Sequence, residues 1–235
     1  MYTNEMKKRI IFYMPSFEGG GVEKNIIMIA NYFISKKANI SLITTSNKIK
    51  SKFHKKIKII TPKSNFWSNK KRFFKYFVSI ILLLQEYFKN KNFKVFCFQG
   101  NISCIIFCKI LNIEVIIRPN SSPSGWSSNN LKRIIFSKIF SLANKIVVNS
   151  YAFKKELKNE FNLNSKCIYN PLNINQIKYL SKKKIKFNFF KKNSFNLISV
   201  GRLAEQKDHI TTLKAVNNIK NKINLKLLIV GDGGQ

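Results

Sequence analysis

The chain has 235 residues, 45% of them hydrophobic, which is enough for a packed globular core as one large domain or two small ones. Its longest apolar run, Phe77–Leu84, is interrupted by Ser79 and falls far short of the roughly 20 residues that span a bilayer, which excludes a transmembrane helix. The formal charge of +33 attracts polyanions, but lysine carries it (38 Lys against 5 Arg) beside 29 Asn and only 6 Ala, the composition an AT-rich coding sequence gives regardless of function.

The lysines spread along the whole chain and form no basic tail. Cys97, Cys104, Cys108 and Cys167 show no paired spacing, and three of them lie in apolar segments, so neither a metal site nor a disulfide framework is expected and a reducing cytosol fits. Met1–Lys8 is polar and leads straight into a strand, without the apolar core of a signal peptide.

Short β-branched or aromatic runs alternate with segments of helical period, the pattern of βα units on a parallel sheet. Strands are predicted at Arg9–Tyr13, Ile40–Thr44, Ile57–Ile60, Lys94–Phe98, Glu114–Arg118, Lys145–Asn149 and Lys166–Tyr169. Between them, Val22, Ile26, Ala30 and Phe33 place one apolar face on a first helix, and others are predicted near Lys70–Phe88, Asn101–Leu111, Asn130–Leu142 and Tyr151–Phe161. A polar, lysine-rich stretch, Ser181–Ser194, reads as an interdomain linker. The pattern then restarts with a strand at Phe195–Val200, a helix over Asp208–Lys220 and a strand at Leu225–Val230. Two strands and one helix cannot bury both faces of a parallel sheet, so the sequence reads as incomplete.

Three loops at the carboxyl ends of predicted strands carry chemistry. Ser16–Lys24 holds Gly19, Gly20 and Gly21 ahead of a helix, where positive φ and free amides favour a phosphate, although a tight strand-to-helix turn explains the same residues. Gly201–Asp208 offers the bidentate fork of Arg202 and the point charge of Lys207, against the alternative of a solvated loop. Gly231–Gly234 is a further glycine loop, equally explained as a turn. Of the ten carboxylates, five (Glu18, Glu23, Glu205, Asp208 and Asp232) fall in these windows, an excess that suggests local roles.

In order and spacing, Phe17-Glu18-Gly19-Gly20-Gly21-Val22-Glu23-Lys24-Asn25, Val148-Asn149-Ser150, Ile168-Tyr169-Asn170-Pro171-Leu172, Ser199-Val200-Gly201-Arg202-Leu203 with Gln206-Lys207-Asp208, and Leu228-Ile229-Val230-Gly231-Asp232-Gly233 resemble the retaining GT-B glycosyltransferases of family four, which include many bacterial envelope-polysaccharide enzymes. The resemblance covers nearly the whole chain. It implies an α/β GT-B fold: a doubly wound Rossmann-like N-terminal, acceptor-side domain over 1–180, the linker over 181–194, and over 195–235 the first βαβ unit of a second, truncated Rossmann-like domain that binds the nucleotide-sugar. It further implies that Arg202 and Lys207 hold the donor diphosphate, that Gly19 and Gly20 approach the same phosphates from the opposite domain, and that Gly201, Gly231 and Gly233 form the donor-site loop. A sugar would pass with retention from a nucleotide-sugar, by family habit a UDP-sugar, to a glycan or polyprenyl-linked acceptor in cell-envelope polysaccharide or lipopolysaccharide synthesis. The expected place is the cytoplasm, at the cytoplasmic face of the inner membrane. No cofactor is expected, because the nucleotide-sugar is a substrate. No metal is expected either, since Asp208 and Asp232 are the only aspartates and no Asp-x-Asp pair exists.

Two departures stand out. The family's Glu-x7-Glu segment would lie beyond Gln235, and Arg118-Pro119-Asn120-Ser121 stands where many relatives place a histidine. Asn120 or Arg118 is therefore a candidate contact for the transferred sugar or acceptor, with a Pro-led loop as the structural alternative. His54 and His209 read as surface residues. Phe66–Phe77 mixes aromatics with cations ahead of an apolar helix, either an interfacial contact with anionic lipid or an ordinary helix covering the sheet. The rival readings are a catalytically inactive GT-B fragment and a basic nucleic-acid-binding module, the latter without a recognised nucleic-acid motif; no specific nucleic acid is expected.

Overall fold

A computed structural model describes residues 8–121, 129–184, 187, 189–190 and 193–233. The polar stretch at 181–194 falls partly outside them. The chain forms two compact units, Met1–Asn173 and Ile174–Gln235.

Seven strands build the first unit: β1 (Arg9–Tyr13), β2 (Ile40–Ile43), β3 (Lys58–Ile60), β4 (Phe93–Cys97), β5 (Val115–Ile117), β6 (Lys145–Val148) and β7 (Lys166–Cys167). They form one sheet in the order β3-β2-β1-β4-β5-β6-β7, and every pairing is parallel. The helices of this unit are α1 (Gly21–Ser35), α2 (Arg72–Lys89), α3 (Asn101–Ile110), α4 (Asn130–Ser141) and α5 (Tyr151–Phe161).

Because strand side chains alternate, each strand feeds two cores. Ile11 and Tyr13 of β1, Val95 and Cys97 of β4, Val115 and Ile117 of β5 and Ile146 and Val148 of β6 point to one face, where they meet Leu83 of α2, Ile105 of α3, Phe140 of α4 and Leu157 of α5. Phe12 and Leu42 point to the other face and pack on Ile26 and Ala30 of α1. Phe96, Ile116 and Val147 face the same way farther along the sheet and line a groove of about 850 Å³. Each fully buried side chain of this kind contributes roughly 1.5–3 kcal/mol.

One charged group is locked into the first core. Glu86 of α2 is 1% exposed and meets Arg9 Nη1 at 2.7 Å and Lys89 Nζ at 2.8 Å, while Arg9 Nε donates to Ser41 Oγ on β2. Burial pushes its carboxyl up, but the hydrogen bonds from Lys89 and Arg9 win and hold it below the ordinary value. The cluster ties α2 to the starts of β1 and β2. Cys97, Cys104 and Cys108 are buried free thiols in the same core, and burial pushes Cys104 well above its ordinary range, which makes it inert.

The second unit opens with a helix not expected from the sequence, α6 (Ile174–Ser181), whose pattern of Ile174, Ile177 and Leu180 is too short to read as periodic. It continues with β8 (Phe195–Val200), α7 (His209–Ile219) and β9 (Leu225–Val230). β8 and β9 pair in parallel over their full length, from Phe195 opposite Leu225 to Val200 opposite Val230, so the unit contains one βαβ crossover.

Breaking the buried cluster exposes its value. Glu86→Ala leaves Arg9 without its buried partner and should lower stability by about 3 kcal/mol, read as a lower urea midpoint with an unchanged denaturant slope.

Candidate functional site

In the first unit the sheet order reverses direction between β1 and β4, so the loops that follow these strands diverge and leave a crevice at their carboxyl ends. The glycine loop after β1 lies there, tied to the loop after β4 by the Ser16 amide donating to Gln99 Oε1 at 2.8 Å. Gly19 adopts φ +84°, a left-handed conformation that only glycine takes without strain. Gly20 stands at the start of α1 without a side-chain cap, and a side chain at Gly19, Gly20 or Gly21 would meet nothing within 4 Å. The loop is thus open on its outer side.

Its amides are nevertheless engaged. Glu23 Oε1, from the first turn of α1, accepts from the amides of Glu18 and Gly19, an internal carboxylate where a phosphate was expected. Glu18 is clamped in turn, accepting from Arg72 of α2 through both oxygens and from Ser16 Oγ at 2.8 Å. The Arg72 and Ser16 hydrogen bonds pull the Glu18 carboxyl down to about 2. Lys75, one turn along α2 and only 8% exposed, reaches Ser16 Oγ at 3.3 Å. Two cations of α2 therefore back the glycine loop, in addition to the amides of the helix that follows it.

The two candidates after β5 part company. Arg118 is 4% exposed and donates to the Ile168 carbonyl at 3.2 and 3.3 Å and to Asn170 Oδ1 at 2.7 Å, so it braces the end of β5 to the segment after β7. Asn120 Nδ2 donates to the Phe98 carbonyl at 2.7 Å. Its side chain lines a cavity of about 370 Å³ with Tyr76, Gly100, Asn101 and Ser103, where Asn101 Oδ1 is a buried acceptor without a partner among the described residues. Amides, a hydroxyl and an aromatic wall are groups suited to a polyhydroxylated ligand.

In the second unit the loops after β8 and β9 run on side by side. Gly201 N donates to the Val230 carbonyl and Leu203 N to the Asp232 carbonyl, each at 3.0 Å. A Cβ on Gly231 would stand 1.8 Å from the Gly201 carbonyl oxygen and one on Gly233 2.1 Å from that of Leu203. Both glycines are therefore required by backbone packing, which shapes the loop that carries the cations. The aliphatic stem of Lys207 lies over Gly201, 3.5 Å from where a Cβ would stand. Asp208, at φ +48°, caps α7 by accepting from the Thr211 amide at 3.2 Å.

Arg202 is singular among the five arginines. Arg9, Arg72, Arg118 and Arg133 are all bound to carboxylates or carbonyls, whereas the exposed Arg202 fork has no hydrogen-bond or ion-pair partner among the described residues. His209, expected at the surface, is instead 7% exposed. Its Nε2 lies 3.1 Å from the Arg202 carbonyl, which can only accept, so the ring donates and pins the backbone of the arginine. No pattern in the sequence announced this, since a lone histidine at a helix start has no period to mark its buried side.

No protein-family model and no curated protein sequence matches the chain. Solved structures do. Anabaena HepE in complex with UDP and glucose superposes with a TM-score of 0.67 at 17% identity, over 97% of this chain and 62% of that one. A glycosyltransferase from Rickettsia africae gives 0.59 at 15% identity over 95% and 68%, and an S. aureus TarM variant in complex with fondaparinux, α-GlcNAc-glycerol and UDP gives 0.64 at 10% identity over 97% and 73%. The likeness is one of fold: an α/β chain with a parallel seven-stranded sheet that matches GT-B glycosyltransferases. The chain spans 61–69% of the length of the HepE structures.

The Glu18–Arg72 clamp has a defined pH response. A carboxyl held at about 2 instead of 4.5 contributes fully above pH 4.5 and loses its contribution as the pH falls toward 2. Arg72→Gln should return the Glu18 carboxyl toward 4.5, followed by carboxyl-carbon NMR titration; an unmoved titration would show that Arg72 does not hold it.

Proposed function

We propose that the chain carries the donor-diphosphate site of a retaining GT-B glycosyltransferase of the family-four kind, which moves a sugar from a nucleotide-sugar, a UDP-sugar, to a glycan or polyprenyl-linked acceptor in cell-envelope polysaccharide synthesis. The observation that carries the reading is the Arg202 fork, without a partner among the described residues, in one loop with Lys207 at the carboxyl edge of a parallel βαβ unit. The fold match adds support, because HepE was solved with UDP, with UDP and glucose, and with UDP-glucose.

The chemistry follows from these groups. As the bond from the sugar to the diphosphate breaks, negative charge grows on the leaving oxygens. An arginine fork and a nearby ammonium, fixed in place before the reaction, stabilise that charge without waiting for solvent to reorganise. His209 is a positioning residue: it holds the Arg202 backbone and does not face the ligand. The cavity at Tyr76, Asn101 and Asn120 is proposed as a recess for an acceptor hydroxyl. Work in the cytoplasm is in keeping with four free cysteines.

Calorimetric titration with UDP-glucose and GDP-mannose tests the donor site. Arg202→Ala and Lys207→Ala should each weaken the preferred donor about tenfold to a hundredfold, and EDTA should leave binding intact. Unchanged affinity in both variants would remove the diphosphate assignment. Binding that is indifferent to nucleotide and falls steeply with salt would instead favour the basic nucleic-acid-binding module.

His209 gives a separate check. His209→Ala should weaken the donor several-fold while His209→Gln, whose amide can reach the same carbonyl, restores much of the affinity; equal losses in both would leave His209 a packing residue only.

A further inference from the structure

Nearly a quarter of the residues are charged (23%), with 43 cations against ten acids. The cavity beside Asn120 breaks that composition. α2, the start of α3, the segment after β5 and α4 all contribute to its wall, and none of the ten described lining residues is charged. The run 95–108, which leads from β4 into α3, holds no charged residue either.

The polar groups of the wall have fixed directions. The Phe98 carbonyl can only accept, so Asn120 faces it with Nδ2 and keeps Oδ1 as an acceptor. Ser103 Oγ donates its one proton to the Gly100 carbonyl at 3.0 Å and retains its lone pairs. Asn101 Oδ1 is buried and has no partner among the described residues. Donors stand beside these acceptors. Gly100 gives α3 no side-chain cap, so the first amides of that helix lack a helical acceptor. The Tyr76 phenol, which burial pushes above its ordinary value and so keeps protonated, can both give and take.

A hydroxyl also gives and takes, and this wall answers both halves. A phosphate or carboxylate only takes. It could use the α3 amides, but it would leave Asn101 Oδ1 unpaired and meet no cationic side chain among the lining residues, and a buried charge left in that state is strongly disfavoured. An ammonium would find no carboxylate there. The Tyr76 and Phe136 rings supply an apolar wall for the carbon face of a sugar.

We propose that the cavity admits only a neutral acceptor sugar, a ring bearing hydroxyls and neither phosphate nor carboxylate, and that Asn101 is its specificity-determining residue, with Oδ1 taking the hydrogen bond of one hydroxyl. The proposal rests on the reading of this cavity as the acceptor recess and adds the class of group it accepts. The formal charge of +33 draws acidic glycans to the surface, yet the recess refuses their charged groups.

Saturation-transfer NMR tests this with the methyl glycosides of glucose, galactose and mannose as neutral probes, against methyl glucuronoside and mannose 6-phosphate. High salt keeps the surface charge from holding the acidic probes. The wild type should bind a neutral glycoside and neither acidic probe. Asn101→Leu should weaken that binding about tenfold, whereas Asn101→Asp, whose carboxylate still accepts from a hydroxyl, should retain it; circular dichroism checks that both variants fold. Binding of both probe classes, weakened alike by Asn101→Leu, would keep the recess and overturn its selectivity. Absence of binding by every neutral glycoside, or neutral binding untouched by Asn101→Leu, would overturn the recess and the selectivity together. The UDP-glucose titration reads the donor site separately, so neutral binding sensitive to Asn101→Leu supports the proposal even where donor binding fails.

Discussion

Every pairing in both sheets is parallel, and the rest of the molecule depends on that constraint. Parallel neighbours cannot be joined by a tight turn, so each connection crosses a face of the sheet and every strand delivers its carboxyl end to one edge. Glycine loops and cations that are far apart in the chain therefore gather at sheet edges. In the first unit the strand order also reverses at β1 and β4, and the crevice opens where Gly19 and Gly20 sit. In the second unit the same rule brings Arg202, Lys207, Gly231 and Gly233 to one end of β8 and β9.

Much of this architecture was legible from residue type alone. Parallel strands read as β-branched and aromatic runs, and Arg9–Tyr13, Phe195–Val200 and Leu225–Val230 were placed to the residue. What escaped was whatever depends on contacts across the chain. α6 was missed because three apolar residues make no period. His209 looked like a surface residue until α7 turned its ring under the Arg202 carbonyl. Arg118 read as a possible ligand contact, yet its fork is occupied by Ile168 and Asn170, 50 and 52 positions further along the chain. The singular state of Arg202 was equally invisible, since it appears only once the other four arginines have found partners.

Scarcity gives the carboxylates their meaning. A chain with 43 cations and ten acids sets each acid among many possible partners, so its position is set by geometry and not by a shortage of counter-charge. Four of the five acids in the glycine-loop windows do local structural work. Glu18 grips Arg72, Glu23 holds the loop amides, Asp208 caps α7 and Asp232 accepts from the Gly233 amide at 2.8 Å. The clustering of acids in these windows is therefore explained by loop architecture. These acids fix the backbone from which a ligand site can be built, and they need not touch the ligand.

That arrangement separates the two glycine regions. At Gly19 the amide already serves the Glu23 carboxylate, so a phosphate can use it only by displacing a tethered anion, and the net gain is the difference between two similar hydrogen bonds. Arg202 has no carboxylate or carbonyl partner among the described residues, so on the proposed reading a diphosphate would gain charge-assisted contacts there without displacing a resident anion. The cations of the second unit stand on a fixed frame, one arginine whose backbone is held by a buried histidine and one lysine whose stem rests on a glycine. The outer face of the glycine loop is open, while the Arg72 and Lys75 cations behind it hold Glu18 and Ser16, so its backbone is braced from one side only.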